Sequence, residues 1–534
     1  MKSLASVISV VTLLIAVGGG TNTPQAAPPA EAGYVPPAVS WGTCENAVLA
    51  SVGVQCGFVE VPLDYDRPDG TKIKLAVSRL RHASPDAQYQ GVMLVNPGGP
   101  GGSGLLFSVL GAYVPGGAGM SYDWIGFDPR GVGASQPSLT CDGNHVGYNR
   151  PYYVPITPKL EKTWLDRTKA YAEACDRAGG ELLDHLKTTD SAADMESIRK
   201  ALGQTQINYY GFSYGTYLGQ VYATRYPDRV RRMVLDGNVD PRTVWYQTNL
   251  NQDLGFDRNI KIFFQWIADH DDVYHLGTSG NAVERRYYAE QAKLINKPAG
   301  GVIGPDEWAD TFLPAAYFVV GWPAIAEAFS GYVNNGDWQT VRALYDSGNP
   351  HGPGTDNVTA VYLGVECTDA PWPTQWSRWR TDSWLTFAKA PFETWDNTWF
   401  NAPCLNWGAA PGTPVTVTGA DVPPILLIGE TLDAATPLEG SLEVRSRFPQ
   451  SVLIEGVNGT HHSGSLTGVA CTDLKIAAYI ATGELPARLP GRTSDVKCDP
   501  VPRPEPVART MSSRAATVPS GLPTREDLQR LIGR

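Results

Sequence analysis

Short apolar blocks alternate along the chain with longer amphipathic ones. Residues 58–62 and 72–77 alternate polar and apolar positions, the period of half-buried strands. The Asp66-Arg67-Pro68-Asp69-Gly70 cluster between them is a turn, so the pair predicts an antiparallel opening hairpin. The runs at 92–95, 124–127, 207–210, 233–235, 425–428 and 452–454 are apolar throughout, the signature of strands covered on both faces in a parallel sheet. Between the second and third of these runs, Met195, Ile198 and Leu202 are spaced by three and four and share one helix face. Ser191 with Asp194 resembles a capping box at its start, and Gly203 stands where the helix should stop. Strands alternating with helices predict a mostly parallel α/β sheet.

From about residue 241 to 421 the pattern changes. Every tryptophan except Trp41, Trp124 and Trp164 falls here, and helical runs at 256–268 and 324–333 mix with Pro- and Gly-rich loops. This stretch predicts an inserted, mainly helical cap in which most tryptophans pack a core and a minority line a cleft. The expected organisation is a signal peptide and lead-in over 1–32, a first core part over 33–240, the cap over 241–420, a second core part over 421–500 and an extended tail over 501–534. A short helix is expected at 525–531.

Composition narrows the setting. The chain has 534 residues, a net charge of −11 and eight cysteines. An acidic balance argues against a nucleic-acid partner. Lys2, the apolar run 4–17 and the small residues Ala26-Ala27 and Ala30-Glu31-Ala32 read as an export signal, too short for a membrane span. The expected location is secreted, extracellular or cell-wall associated, with no stable membrane insertion. In that setting the cysteines are expected in disulfides, most simply between neighbours: Cys44 with Cys56, Cys141 with Cys175, Cys367 with Cys404, Cys471 with Cys498.

The stretch richest in chemistry is Gly211-Phe212-Ser213-Tyr214-Gly215. A strand-forming run precedes it and a helix-compatible one follows, the context of a nucleophile elbow. A serine nucleophile needs an acid, a base and an oxyanion hole, with the acid after a late strand and the histidine after the last. Asp433, five residues beyond the 425–428 run, is the acid candidate, with Glu430 as its local competitor. His461 and His462 are the only histidines downstream. His462 is preferred because Ser463-Gly464-Ser465 leaves room beside it; His461 is the close alternative, and the one not used is expected to be a surface neighbour. A metal pair is disfavoured, because adjacent histidines rarely share an ion and no other ligands lie nearby; neither metal nor cofactor is expected. Tyr214 and a glycine of the loop 96–104, for which Gly99 is chosen, are the oxyanion donors. The same loop matches G-x-G-x-x-G, but Pro100 interrupts it, which argues against dinucleotide binding. Asp128 and Arg130, after the 124–127 run, are expected to form a buried pair bracing the loops.

Residues 96–104, 126–133, 211–216 and 433–437, with Val61-Pro62-Leu63-Asp64-Tyr65 and the block around Cys471 and Ala478-Tyr479, together resemble the secreted tripeptidyl aminopeptidases of actinobacteria. Those are serine exopeptidases related to prolyl aminopeptidases. The resemblance covers nearly all of the chain after the signal and implies an α/β-hydrolase fold, a mostly parallel sheet flanked by helices, with a large, mainly helical cap. It departs at the histidine: the family often shows Gly-His followed by a small residue, whereas neither histidine here follows glycine and only His462 precedes a small residue. The implied activity is release of short peptides, tripeptides in particular, from peptide or protein substrates with free N-termini. Such selectivity calls for a carboxylate under the cap to hold the α-ammonium. Glu366 is the first candidate and Asp369 the second, against an ordinary salt-bridge or capping role. A carboxylesterase or lipase would share the triad, and a non-catalytic binding protein would have no need of it.

Overall fold

The apolar runs become the middle of one ten-stranded sheet in a computed structural model that describes residues 34–506 and 522–529. The strands are β1 (Gly42–Thr43), β2 (Gln55–Pro62), β3 (Lys72–Leu80), β4 (Val92–Asn96), β5 (Asp123–Phe127), β6 (Ile207–Phe212), β7 (Val230–Asp236), β8 (Leu426–Glu430), β9 (Val452–Gly456) and β10 (Val496–Cys498). Their order is β1-β2-β3-β5-β4-β6-β7-β8-β9-β10. The pairs from β1 to β3, and β3 with β5, are antiparallel; all others are parallel. The opening hairpin is therefore present, and a parallel strand, β10, extends the far edge beyond the last apolar run. Its three residues carry no apolar block of their own.

Leu94, Ile125, Tyr209 and Leu235 are buried on one face of the sheet. Met93, Trp124, Tyr210 and Val234 are buried on the other. Burial on both faces is why these strands read as continuous apolar runs rather than alternating ones. Because the chain passes from β4 to β5 and then back across β4 to β6, the loops after β4 and β6 leave the same carboxyl end of the sheet side by side.

The helices α1 (Pro158–Gly179), α2 (Thr188–Ala201) and α3 (Tyr214–Arg225) cross between strands. The start of α2 differs from the expected Ser191 cap. The helix starts at Thr188, so Ser191 lies inside it rather than at its cap. Lys187 gives no side-chain cap, and the buried Thr188 N–H instead donates to the distant Asp369 carboxylate at 2.6 Å. The stop is as expected, with Gly203 at φ +65° two residues past Ala201.

Arg130, expected to pair with Asp128, pairs instead with Asp194 of α2. Its guanidinium forks onto both Asp194 oxygens at 2.7 and 2.8 Å and donates to the carbonyls of Leu63 and His185. Asp128 instead accepts from Ser103 Oγ, Gly104 N and Ala134 N, which ties the glycine loop to the loop after β5. Both members of the Arg130–Asp194 pair are 1 % exposed. Asp194→Ala would strand a buried guanidinium, at a cost of about 3–5 kcal/mol. We expect denaturant unfolding to show that loss, and an unchanged midpoint would refute it.

Between β7 and β8 lies the helical region, including α4 (Tyr246–Asp269), α5 (Pro305–Tyr317), α6 (Asn357–Asp369) and α7 (Thr394–Asn401). Its own core is aromatic, with Phe263, Trp266, Trp308, Phe312, Trp322 and Phe329 buried together. A second aromatic cluster stacks Trp399 of α7 on Trp164 of α1, with ring centroids 5.6 Å apart. A helix from before β6 thus packs with this layer. Most of the tryptophans are core, as simple packing predicts; Trp372 and Trp379 also line a narrow crevice with Tyr246, Asn249 and Asp253.

All four neighbour disulfides form. Such bonds persist in oxidising compartments, and among the described residues no helix is long and apolar enough to cross a membrane. The stretch expected to be an export signal lies outside the described residues. After β10 the segment 500–506 crosses to the helical region, where Pro504 O accepts from Trp266 Nε1. The short helix near the C-terminus spans Arg525–Gln529.

Candidate active site

Ser213 sits between β6 and α3 with φ +53° and ψ −128°, a left-side backbone conformation that a non-glycine residue holds only at a cost of about 1–3 kcal/mol. Its neighbours explain how the chain holds it there. A Cβ on Gly211 would stand 2.6 Å from Gly215 O, and one on Gly215 would stand 2.6 Å from Asn96 O. Both glycines are needed so that α3 can pass against β6 and β4. Ser213 N–H donates to Asp236 O at the end of β7, and Ser213 O accepts from Thr216 Oγ1. The side chain is thereby presented at the carboxyl end of the sheet, at the N-terminus of α3, where the helix dipole favours developing negative charge.

The glycine loop comes to the same place. A Cβ on Gly98 would meet Phe212 O at 2.6 Å, Ser213 Cβ at 2.8 Å and Tyr214 N at 2.9 Å, so this loop lies directly on the elbow. Gly98 and Gly99 have φ +93° and +108°, as an L side chain rarely does. Gly98 N–H is engaged by Asn96 Oδ1.

Asp433 and His462 meet on the other side. Asp433 follows β8, and its carboxylate accepts from Ala435 N, Thr436 N and Thr436 Oγ1. His462 Nδ1 lies 2.8 and 3.0 Å from its two oxygens. A carboxylate only accepts, and the Thr436 hydroxyl proton is already directed to Asp433. Nδ1 therefore carries the ring proton and Nε2 presents its lone pair. Nε2 is buried and has no hydrogen-bond partner. The ring passes beside Gly237, where a Cβ would be 3.2 Å from Cε1. Gly237 directly follows Asp236, the residue that holds Ser213 N–H.

His461, expected at the surface if unused, is fully buried. Its ring packs edge-on against Phe318, and its N–H donates to Glu430 Oε2 at 2.7 Å. The loop needs both rings inside because the helical region covers it: His462 N–H donates to Tyr317 O, and Tyr317 and Phe318 pack on the two imidazoles. Glu430, the local competitor for the acid role, is committed to backbone, accepting from His461 N and Val501 N; burial pushes its carboxyl up to about 8.

Glu366 and Asp369 both lie on α6, buried, in different surroundings. Asp369 accepts from Thr188 N, Thr188 Oγ1 and Trp245 Nε1, and burial raises its carboxyl to about 6. Glu366 accepts from Asn249 Nδ2 at 3.2 Å, and burial pushes it up to about 8. Tyr317, the residue against His462, has its hydroxyl raised by burial and then by the charges of Glu393, Asp433 and Glu366.

Several residues here were not singled out from the sequence. Asp236 accepts Ser465 N with its carboxylate and Ser463 Oγ with its carbonyl, tying the elbow to the histidine loop; burial raises it to about 6. Glu393, buried, and Asp396, half-buried, stand at the start of α7, each raised by desolvation and by the acidic groups around it. Asp253, raised by burial to about 8, accepts from Asn397. Buried carboxylates inside helical, Trp-rich sequence have no local motif, and only their scarcity of cations could have flagged them. Gly255 of α4 lies so close to the acid loop that a Cβ would be 2.8 Å from Ala434 Cα. Among the described residues, no three His, Cys, Asp or Glu side chains are grouped to hold a metal ion.

Comparison with known proteins agrees with this architecture. The profile of the alpha/beta hydrolase fold matches residues 91–293, and that of "TAP-like protein" matches 390–498. The tripeptidyl aminopeptidase of Streptomyces lividans is 40% identical over 483 residues, covering 88% of this chain and 88% of that protein. Serine protease Hip1 of Mycobacterium tuberculosis is 30% identical over 484 residues, covering 84% and 89%. Carboxylesterase B of Mycobacterium tuberculosis is 31% identical over 494 residues, covering 88% and 93%. The chain is a serine hydrolase of the α/β-hydrolase fold, and it belongs to the tripeptidyl aminopeptidase family.

Proposed function

We propose that this chain is a secreted serine exopeptidase that releases short peptides, tripeptides in particular, from the free N-termini of peptide or protein substrates. The observation that carries the reading is the Asp433–His462 pair, with Nε2 unpartnered and the ring beside Gly237, the residue after the one that holds Ser213 N–H. Ser213 Oγ attacks the scissile carbonyl carbon while its proton passes to His462 Nε2. Asp433 holds the ring in the reactive tautomer and stabilises the imidazolium. The oxyanion takes the N–H of Tyr214 at the start of α3 and that of Gly99; the engagement of Gly98 N–H by Asn96 favours Gly99 as the second donor. His462 then protonates the leaving amine, the acyl-enzyme forms, and water releases the peptide by the same steps in reverse. The helical region between β7 and β8 is the cap over this cleft.

Glu366 receives the substrate's α-ammonium in this scheme. In the empty site Glu366 holds a proton near neutral pH, since burial raises it to about 8. Forming the ion pair releases that proton, so binding strengthens as pH rises, until the substrate amine itself deprotonates near its ordinary value of about 8. We expect KM for an unblocked chromogenic tripeptide to fall about tenfold from pH 6 to pH 7. Its N-acylated form should be turned over poorly and lack this limb. Glu366→Gln should raise KM for the unblocked substrate about 30-fold or more and flatten its pH dependence. Equal turnover of blocked and unblocked peptides would sink the exopeptidase reading. The similarity to a protein named carboxylesterase B supports a second reading, as an esterase; fast turnover of simple esters with none of peptides would select it.

A further inference from the structure

Asp369, a candidate for substrate binding on sequence grounds, has its carboxylate occupied by the protein. Oδ1 accepts from Thr188 N at 2.6 Å, and Oδ2 accepts from Thr188 Oγ1 at 2.6 Å and Trp245 Nε1 at 3.2 Å. Thr188 Oγ1 lies 2.7 Å from the hydroxyl of Tyr214, the residue after the nucleophile. The Thr188 proton goes to the carboxylate, so the Tyr214 hydroxyl must be the donor to Thr188. A directed chain results: Tyr214 O–H to Thr188 O–H to Asp369. Tyr214, Thr188 and Asp369 are all buried, where such a chain is stiff and its loss is felt. The Trp245 ring, held by the same carboxylate, packs on Tyr214 and Tyr217.

The helix that carries Asp369 also touches the other oxyanion segment. A Cβ on Gly101 would be 2.7 Å from Val358 O and 3.3 Å from Tyr362 N, so the glycine loop rests on the first turns of α6. Glu366 lies one turn before Asp369 on that helix. A single, mostly buried helix therefore touches the glycine loop, reaches Tyr214 through Thr188 and Trp245, and carries the proposed ammonium acceptor.

We propose that Asp369 is a positioning residue, which fixes the Tyr214 N–H of the oxyanion hole through Thr188. The proposal rests on the roles assigned above to Ser213 and Tyr214. A donor displaced by a fraction of an ångström loses most of its value in the transition state and little in the ground state.

The test uses the full, disulfide-bonded chain and the variants Asp369→Asn, Thr188→Val, Thr188→Ser and Tyr214→Phe. Rates are normalised to active sites titrated with a fluorophosphonate. We expect Asp369→Asn and Thr188→Val to lower kcat by about 10- to 100-fold on an unblocked tripeptide, with KM within about twofold. A simple aryl ester, which has no ammonium, should lose the same factor. Thr188→Ser should restore most of kcat, and adding Tyr214→Phe to Thr188→Val should cost little more than either alone. A rise in KM with kcat kept would make Asp369 a substrate-binding group and overturn the proposal. So would wild-type kcat in Thr188→Val. Should Asp369→Asn fail to fold, the Thr188→Val and Thr188→Ser pair decides alone. Activity retained by Ser213→Ala would mark failure of the underlying reading instead.

Discussion

Replacing Ser213 with alanine is expected to lower kcat by about 10⁶-fold, to the level that binding and the oxyanion hole supply alone. The expectation follows from how the site divides its work. On the proposed assignment Oγ is the only atom that forms the bond to the scissile carbonyl; the neighbouring hydroxyls are committed, Thr216 Oγ1 to Ser213 O and Tyr214 to Thr188. Alanine keeps the same backbone strain, because its Cβ still occupies φ +53°. The loss should therefore appear with the fold intact and with labelling by a fluorophosphonate abolished. Ser213→Gly separates strain from chemistry. It should be equally inactive yet more heat-stable than the alanine variant, by about 1 kcal/mol, since glycine adopts this conformation without a Cβ penalty. Retained labelling in Ser213→Ala would remove the nucleophile from the scheme. Equal stability of the two variants would show that the elbow stores no strain.

How much of this was legible in the sequence depended on whether the signal was local. Two-sided burial wrote itself into the strands at 92–95 and 207–210 as unbroken apolar runs. The elbow was legible because two close approaches, of Gly211 to Gly215 and of Gly215 to Asn96, each demand glycine at a fixed spacing around one serine. Asp433 was legible because strand, loop and acid follow one another within ten residues. Where the partner is far along the chain, the local reading misled. Ser191 looked like a cap because nothing nearby announces that Asp369, 181 residues away, caps Thr188. Asp128 looked like the mate of Arg130 because it is two residues off. The fold instead points that guanidinium across to Asp194, 64 residues on, and uses Asp128 to hold backbone N–H groups. His461 read as a surface residue because a histidine pair in a loop is ordinarily half wet. Phe318 of the helical region covers it, and no pattern near His461 records that contact.

The two adjacent histidines are expected to respond very differently to removal. His462→Ala should lower kcat by about as much as loss of the serine, about 10⁶-fold, because nucleophile and base act as one unit. His461→Ala should cost less than about tenfold, through looser packing beside Phe318. The distinction rests on geometry rather than on burial, since both rings are buried. His462 has one ring nitrogen bound to Asp433 and the other unpartnered, with its Cε1 beside Gly237. Asp433→Asn sharpens the test. An amide in that position brings its own N–H donors, and the N–H groups of Ala435 and Thr436 pin the oxygen that stays an acceptor. The amide nitrogen then faces Nδ1, which must give up its proton to accept. The proton moves to Nε2, where the base should be. We expect kcat to fall about 10⁴-fold with KM little changed, because the tautomer matters to proton transfer and not to binding. Single-turnover acylation, followed as the burst of a chromogenic leaving group, reads that step directly. A His461→Ala variant as inactive as His462→Ala, or an Asp433→Asn variant with a near-normal burst, would reassign the base.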